Sequence, residues 1–85
     1  MKSLLVYILD NILDSPENYN IDEIIEEKFG RNYKVYVIKA KPEFIGLIVG
    51  KGGSTINSIR TILKIKAVKS NEFVDVRVEE ASPEI

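Results

Sequence analysis

Four of the chain's five glycines lie between Gly46 and Gly53, within an otherwise branched apolar stretch. Glycine adopts backbone conformations that regular structure excludes, so this cluster marks a break between elements. On one side, residues 42–49 begin with proline, which suits the first turn of a helix. On the other side, residues 54–69 repeat apolar side chains at helical spacing. The sequence therefore predicts a short helix, a glycine loop and a longer helix.

The rest of the chain predicts one further helix and at least two strands. Residues 4–13 show helical spacing, with Ser3 as a candidate N-cap and Ser15-Pro16 as the stop. Residues 33–40 are β-branched and aromatic on both faces, as in a central strand. Residues 73–79 alternate, which places Val74, Val76 and Val78 on the buried face.

Residues 19–29 fit two structures from local pattern alone. Their apolar side chains suit a helix, yet Tyr19, Ile21, Ile25 and Phe29 also share one face of a strand. Two strands joined by a helical crossover make a poor sheet, and the fold needs a third. We therefore expect a strand here, joined through residues 30–32 to the strand at 33–40.

Size and composition indicate one small globular domain, predicted over residues 1–80, with a flexible tail at 81–85. The chain has no cysteine and no histidine, which removes thiolate metal sites and the commonest general base. We therefore expect no enzyme, no cofactor and no metal. The N-terminal apolar run is too short for a signal peptide or a membrane span, so we expect a cytoplasmic protein without membrane insertion.

The net charge of −1 conceals three blocks of opposite sign. Residues 1–33 and 70–85 each carry −4, whereas residues 34–69 carry +7. A polyanion responds to the local field, so the basic block around the glycine loop suits a nucleic-acid partner. Solubilising lysines scattered over the surface are the alternative until the fold places them.

The loop spacing excludes nucleotide-phosphate motifs. A Walker loop requires GxxxxGK, but the sixth position counted from Gly46 is Lys51. The dinucleotide pattern GxGxxG also fails, because Thr55 occupies the last glycine position counted from Gly50. The pattern that fits is GxxG at Gly50–Gly53, the loop with which KH domains clamp about four nucleotides of single-stranded backbone. Alone, GxxG is a weak signal that an ordinary helix–turn–helix also explains.

The flanking residues strengthen this interpretation. The stretch FIGLIVGKGGSTINSIRTILK resembles the KH signature, and the matches extend over roughly residues 4–79. Asp14-Ser15-Pro16-Glu17, Pro42-Glu43 and the run from Ile59 to Lys64 resemble the small single-domain bacterial KH proteins of the KhpA type. The resemblance implies an α+β fold, the type II KH arrangement α-β-β-α-α-β, with helices on one face of a three-stranded mixed sheet. Because residues 17–41 are a few residues longer than usual, we expect a bulge or a helical turn in the hairpin.

The resemblance implies a non-catalytic protein that binds single-stranded RNA, as a post-transcriptional regulator or RNA chaperone. The glycines would admit the phosphate backbone, Lys51 would pair with it, and the main-chain N–H groups of Gly53 and Ser54 would bind a phosphate. Gly46 is expected to relieve crowding within its helix. The predicted RNA-binding residues are Gly50, Lys51, Gly52, Gly53, Ser54, Arg60, Lys64, Ile45, Ile48 and Val49. Ile56 and Val76 are further candidates for the groove floor, although each apolar residue also suits the core.

The alternative function is a protein-interaction module. Ile62 and Ile65 lie away from the apolar stripe of the long helix. We expect them to pack under the N-terminal helix; otherwise they form an exposed patch for a dimer interface. Members of the resembled family associate with themselves and with a larger Jag (KhpB)-type KH protein, so the resemblance implies a homodimer, a heterodimer or both.

Overall fold

The computed structural model describes residues 2–13 and 19–81, which form three helices and three strands. In chain order these are α1 (Lys2–Leu13), β1 (Tyr19–Lys28), β2 (Arg31–Ala40), α2 (Pro42–Val49), α3 (Ser54–Lys69) and β3 (Val74–Glu80). A short 3₁₀ turn, Lys51–Gly53, connects α2 to α3. The expected α-β-β-α-α-β order is confirmed. The predicted stop at Ser15-Pro16 and tail residues 82–85 lie outside the described residues, and Ser3 is within α1 rather than at its cap.

The three strands form one mixed sheet in the order β1-β2-β3. Strand β1 runs antiparallel to β2, and the register continues without interruption from Tyr19 opposite Ala40 to Lys28 opposite Arg31. Strand β3 runs parallel to β2, beginning with Val74 beside Lys34. The strand expected at residues 19–29 is therefore confirmed. The expected bulge or helical turn is wrong, because every residue of β1 has one partner on β2.

The hairpin turn consists of Phe29 and Gly30, rather than residues 30–32. Both have positive φ, 53° and 72°. A two-residue turn with positive φ at both positions matches the right-handed twist of the flanking strands. Because this turn is so short, Arg31 already belongs to β2 and pairs with Lys28.

The helices pack on one face of the sheet, and their apolar stripes form a single core with it. Tyr36, Ile38 and Ala40 of β2 are each at most 2% exposed on this face. From the helices and the edge strands, the core contains Leu5, Leu9, Leu13, Ile21, Ile48, Ile56, Ile59, Leu63, Ala67, Val74 and Val76. The predicted α3 stripe is thus confirmed, whereas Val78 is only partly buried against the core.

The hairpin end of the sheet extends beyond the helices. Ile25 and Phe29, expected to share one face of a strand with Tyr19 and Ile21, are 64% and 94% exposed. Phe29 lies in the turn and not on the strand, so the expectation is wrong for that residue. Ile25 is on β1, but the core covers only the part of β1 that pairs with the second half of β2.

The opposite sheet face, here called the open face, is covered by charged side chains instead of helices. Val35 and Val37 are 0% and 5% exposed, although neither belongs to the core. Above Val35, both terminal guanidinium nitrogens of Arg77 on β3, Nη1 and Nη2, donate to the carboxylate of Glu26 on β1. This ion pair therefore links the two edge strands across the central one.

Candidate nucleic-acid interface

The loop between α2 and α3 has a backbone that favours glycine at three positions. Gly50 has φ 76° and ψ 171°, a region that is essentially restricted to glycine. Gly52 (φ 62°, ψ 20°) and Gly53 (φ 79°, ψ 12°) are left-handed, and both lie directly before α3. The glycine cluster therefore specifies the sharp reversal that separates the two helices.

The surroundings of these glycines differ. A Cβ at Gly50 would lie 2.3 Å from Thr55 Oγ1 and 2.8 Å from the Thr55 backbone N, so close packing also requires glycine there. A Cβ at Gly52 would have no other atom within 4 Å, so that side of the loop is open to a ligand. A Cβ at Gly46 also meets nothing within 4 Å; the expectation that Gly46 relieves crowding is wrong.

Hydrogen bonds within the loop use two of the predicted phosphate donors. The Gly53 N–H donates to the Gly50 carbonyl oxygen at 3.1 Å, and the Ser54 N–H donates to the carbonyl oxygen of Lys51. The expectation that these two N–H groups are free for a phosphate is therefore wrong. What the loop offers is the bare surface at Gly52 and the exposed side chain of Lys51.

Ion pairing divides the cations of the described residues into two groups. Those with an acidic partner within 4.0 Å are Lys28, Lys39, Arg60 and Arg77. The other eight cations have no such partner in the described part of the chain: Lys2, Arg31, Lys34, Lys41, Lys51, Lys64, Lys66 and Lys69. Four of these eight unpaired cations lie on the loop and on the helix that follows it, so this surface carries local positive charge.

Arg60 is held at the free edge of β3. Its Nε donates to the Val76 carbonyl oxygen at 3.0 Å and lies 3.9 Å from Asp75 Oδ1. Asp75 Oδ1 in turn accepts the Val76 N–H at 2.8 Å. These contacts satisfy edge-strand polar groups beside α3. The structure therefore places Arg60 between the loop helix and the sheet, with part of its charge already compensated.

Sequence reasoning missed Thr55 and Asp75, which position Gly50 and Arg60. No local pattern identifies either of them. Arg60 is fifteen residues from Asp75 and on another element, and only the fold brings the two together. Asn57, whose Oδ1 accepts from Arg60 Nη1 at 3.4 Å, was also missed, although its position one helical turn before Arg60 was a usable signal.

The apolar site candidates fall into two groups. Ile48, Ile56 and Val76 are 0%, 6% and 1% exposed and belong to the core. Ile45 and Val49 are partly buried and pack against that core beside the loop. Among these candidates, only Ile45 and Val49 therefore present apolar surface near the glycines.

Ile62 and Ile65 do not pack under α1, as we expected. They are 44% and 58% exposed, and both line a cavity of 280 Å³ that Leu4 of α1 and Lys66 also border. The expectation of burial is wrong, because the core of α3 is completed by residues 56, 59, 63 and 67 alone. The alternative, an exposed apolar patch, is what the structure shows.

The described residues contain neither a metal cluster nor a membrane-spanning helix. Within residues 2–13 and 19–81, there is no group of three or more acidic side chains placed to hold a metal ion. No helix in these residues has the length and apolar character that crossing a membrane requires.

Comparison with known proteins gives one consistent result. The family model described as "KhpA/KhpB, KH domain" matches residues 2–79. The chain is 40% identical over 81 residues to the "RNA-binding protein KhpA" of Chlamydia caviae, covering 94% of this chain and 97% of that protein. It is 32% identical to the protein of that name from Clostridium perfringens, covering 92% and 99%. The Thermotoga maritima protein of that name is 38% identical, covering 86% and 92%.

A search of solved structures finds no match to the chain. The sequence matches nevertheless extend over nearly the whole chain and nearly the whole length of these relatives. The observed element order and the mixed sheet agree with a type II KH fold. The chain therefore belongs to the KhpA/KhpB KH-domain family.

Proposed function

We propose that this protein binds single-stranded RNA through the Gly50–Gly53 loop and the adjoining face of α3, without catalysing a reaction. The observation that carries this proposal is the open backbone at Gly52 beside the unpaired Lys51. The phosphate backbone approaches the loop where no Cβ obstructs it, and Lys51 pairs with a phosphate. The printed names of the relatives, "RNA-binding protein KhpA", support the same ligand.

The rest of the site extends from the loop along two sides. Ile45 and Val49 provide the apolar surface against which bases lie, and Arg60 and Lys64 lie along the path of the backbone. Ile48 contributes as core support for α2, because it has no exposed surface. Since the chemistry is binding alone, we propose a post-transcriptional regulator or RNA chaperone, and the cytoplasmic location stays a prediction.

A double variant, Lys51→Asp with Gly52→Asp, tests the proposal. Aspartate tolerates left-handed φ, and its Cβ at position 52 meets no neighbour, so the variant is expected to fold. We expect binding of a short single-stranded RNA to weaken at least tenfold in fluorescence anisotropy, because the new charges repel phosphates. The magnitude of the salt slope should fall by about 0.7 for each phosphate that the variant no longer neutralises.

The control is Lys2→Asp with Tyr7→Asp, which makes the same change of net charge on the exposed surface of α1. It is expected to bind RNA nearly as well as the parent protein. If a folded Lys51→Asp/Gly52→Asp variant retains parental affinity, or the two variants lose affinity equally, the loop is not the site.

The exposed patch at Ile62 and Ile65 supports a second function, self-association or pairing with a KhpB-type KH protein. We expect Ile62→Asp to shift a dimer to a stable monomer in size-exclusion chromatography with light scattering. Ile24→Asp is the matched control, since Ile24 is 40% exposed but lies on strand β1. A parent protein that is monomeric alone and in the presence of such a partner would contradict this function.

A further inference from the structure

Two aromatic side chains meet at the end of α3 that is remote from the glycine loop. Tyr33 on β2 and Phe73, just before β3, have ring centroids 5.5 Å apart at an angle of 47°. Phe73 is 41% exposed although it adjoins the buried Val74. The backbone holds Phe73 in place, since its carbonyl oxygen accepts the Lys34 N–H at 2.9 Å. An exposed ring on a fixed backbone is an ordered platform for a flat ligand.

A cavity of 240 Å³ adjoins this platform. It lies between the last turns of α3 and the start of β3, and it is lined in part by Tyr33, Phe73, Ala67 and Lys64. Sites for drug-sized ligands occupy about 300–1,000 Å³, so this smaller cavity suits a single ring system. Its walls combine aromatic and aliphatic surface with one cation, and Glu72 is the only acidic residue among its described lining residues.

The charges around the platform favour a nucleic acid. The guanidinium of Arg31 lies 4.8 Å from the centre of the Phe73 ring, and neither Arg31 nor Lys64 has an acidic partner among the described residues. Aromatic rings that stack bases beside cations that attract phosphates are the combination found in single-strand binding sites. An apolar peptide would not require these cations.

The platform is also continuous with the loop surface. Lys64 follows Arg60 by one helical turn, and the loop begins the same helix. The distance along α3 from Ser54 to Ala67 is about 20 Å at 1.5 Å per residue. An RNA strand that binds at the loop and extends along α3 therefore reaches the cavity. The nucleotides at the cavity are different from those bound at the loop.

We propose that Phe73 and Tyr33 form a base-stacking site, which binds one nucleobase of an RNA strand whose other nucleotides lie at the glycine loop. This inference rests on the proposed function, and it adds a ligand contact at a place that the loop does not reach. The base-stacking site makes a distinct prediction, because it increases the affinity only of RNA that is long enough to reach from the loop to the cavity.

The experiment compares four- and ten-nucleotide RNAs of mixed sequence with the full chain in fluorescence anisotropy. We expect Phe73→Leu to weaken ten-nucleotide binding by about 5- to 150-fold, as one stacked base contributes about 1–3 kcal/mol, and to leave four-nucleotide binding unchanged. Leucine keeps an apolar side chain for packing. Phe73→Trp should retain the longer RNA's affinity. The chain has no tryptophan, so the fluorescence of the new indole reports stacking directly, and we expect the ten-nucleotide RNA alone to quench it.

Ten-nucleotide RNAs with abasic residues at either end provide the ligand control, because they keep the phosphates and lack the stacked base. One of the two should bind the parent protein as weakly as the normal RNA binds Phe73→Leu.

If Phe73→Leu does not fold, quenching in Phe73→Trp decides the question. This inference is overturned if Phe73→Leu binds both RNAs with parental affinity and the ten-nucleotide RNA does not quench the fluorescence of Phe73→Trp. In that case the loop variants still test the proposed function. If the parent protein binds neither RNA, both proposals are overturned. If the indole fluorescence of Phe73→Trp changes only when a protein partner is added, the base-stacking proposal is overturned.

Discussion

The loop glycines illustrate what single residues contribute to this protein. Glycine is required at position 50 for two reasons. Its backbone conformation is restricted to glycine, and Thr55 lies too close to leave space for a Cβ. Gly52 suits its left-handed φ, and its bare surface is what a ligand can use. The sequence predicts the loop, because glycines at this density are unfavourable inside a continuous helix or strand. It does not show what surrounds a missing Cβ, which is why the role expected of Gly46 is wrong.

The two kinds of glycine give opposite predictions for stability. Gly50→Ala places a Cβ against the Thr55 backbone and forces an unfavourable φ, so we expect a loss of more than about 2 kcal/mol in free energy of unfolding. Gly46→Ala is the matched control in the middle of α2. It introduces no contact and should stabilise the protein by about 0.5–1 kcal/mol, because alanine favours helix. Urea unfolding measures both, and a Gly50→Ala protein of parental stability would contradict the loop geometry.

Arg60 shows the limit of prediction at this scale. Its position one turn after Ile56 predicts a surface cation near the loop, and the structure agrees that it is partly exposed. Its contacts with Val76 and Asp75 depend on how α3 crosses the edge of the sheet, and no spacing along the chain encodes that crossing.

At the scale of elements, residue pattern and sheet requirements act together. Residues 19–29 favour helix locally, but the third strand needed to complete a sheet determines the outcome. The strand's buried end was predictable from Tyr19 and Ile21. Its exposed end was not, because Ile25 continues the same alternation beyond the region that the helices cover, and Phe29 belongs to the turn. The alternation of residue types indicates which side chains share one face of a strand. Whether that face is buried depends on the layer of helices that packs against it.

One contact between elements makes a prediction about pH. The Tyr19 hydroxyl of β1 donates to Asp10 Oδ1 of α1 at 2.8 Å. Burial, with the hydrogen bond and charge of Asp10, raises the pKa of Tyr19 to about 12. The folded state therefore holds this proton more tightly than the unfolded state. The resulting stability is present below pH 10, falls as pH rises from about 10, and is lost above about 12.

Thermal melting of the parent protein and Tyr19→Phe between pH 9 and pH 12 measures this contribution. We expect the parent's melting temperature to fall more steeply than that of the variant, because phenylalanine has no proton to lose. Burial also raises the pKa of Tyr36, but that residue is common to both proteins and cancels in the comparison. Parallel curves would show that the Tyr19–Asp10 contact does not couple α1 to the sheet.

At the scale of the whole molecule, the fold sorts the charges that the sequence arranges in blocks. The acidic block of residues 1–33 provides Asp22 and Glu26, which pair with Lys39 and Arg77 on the open face. Of the six unpaired lysines in the basic block, Lys51, Lys64, Lys66 and Lys69 lie on the loop and α3, whereas Lys34 and Lys41 lie on and just after β2. The sequence correctly predicts that the central block of the chain is positively charged. Which cations are paired with acidic residues depends on the sheet register and on the position of α3.

The central claim is that RNA binds at the loop and along α3, and an NMR titration tests it most directly. Backbone amide shifts of the ¹⁵N-labelled protein would be followed while a short single-stranded RNA is added at fixed, low salt. We expect the largest changes at residues 50–54, smaller ones near Arg60 and Lys64, and almost none at Ile24 or Val37 on the open face. Changes centred on the open face, or confined to Ile62 and Ile65, would contradict the account.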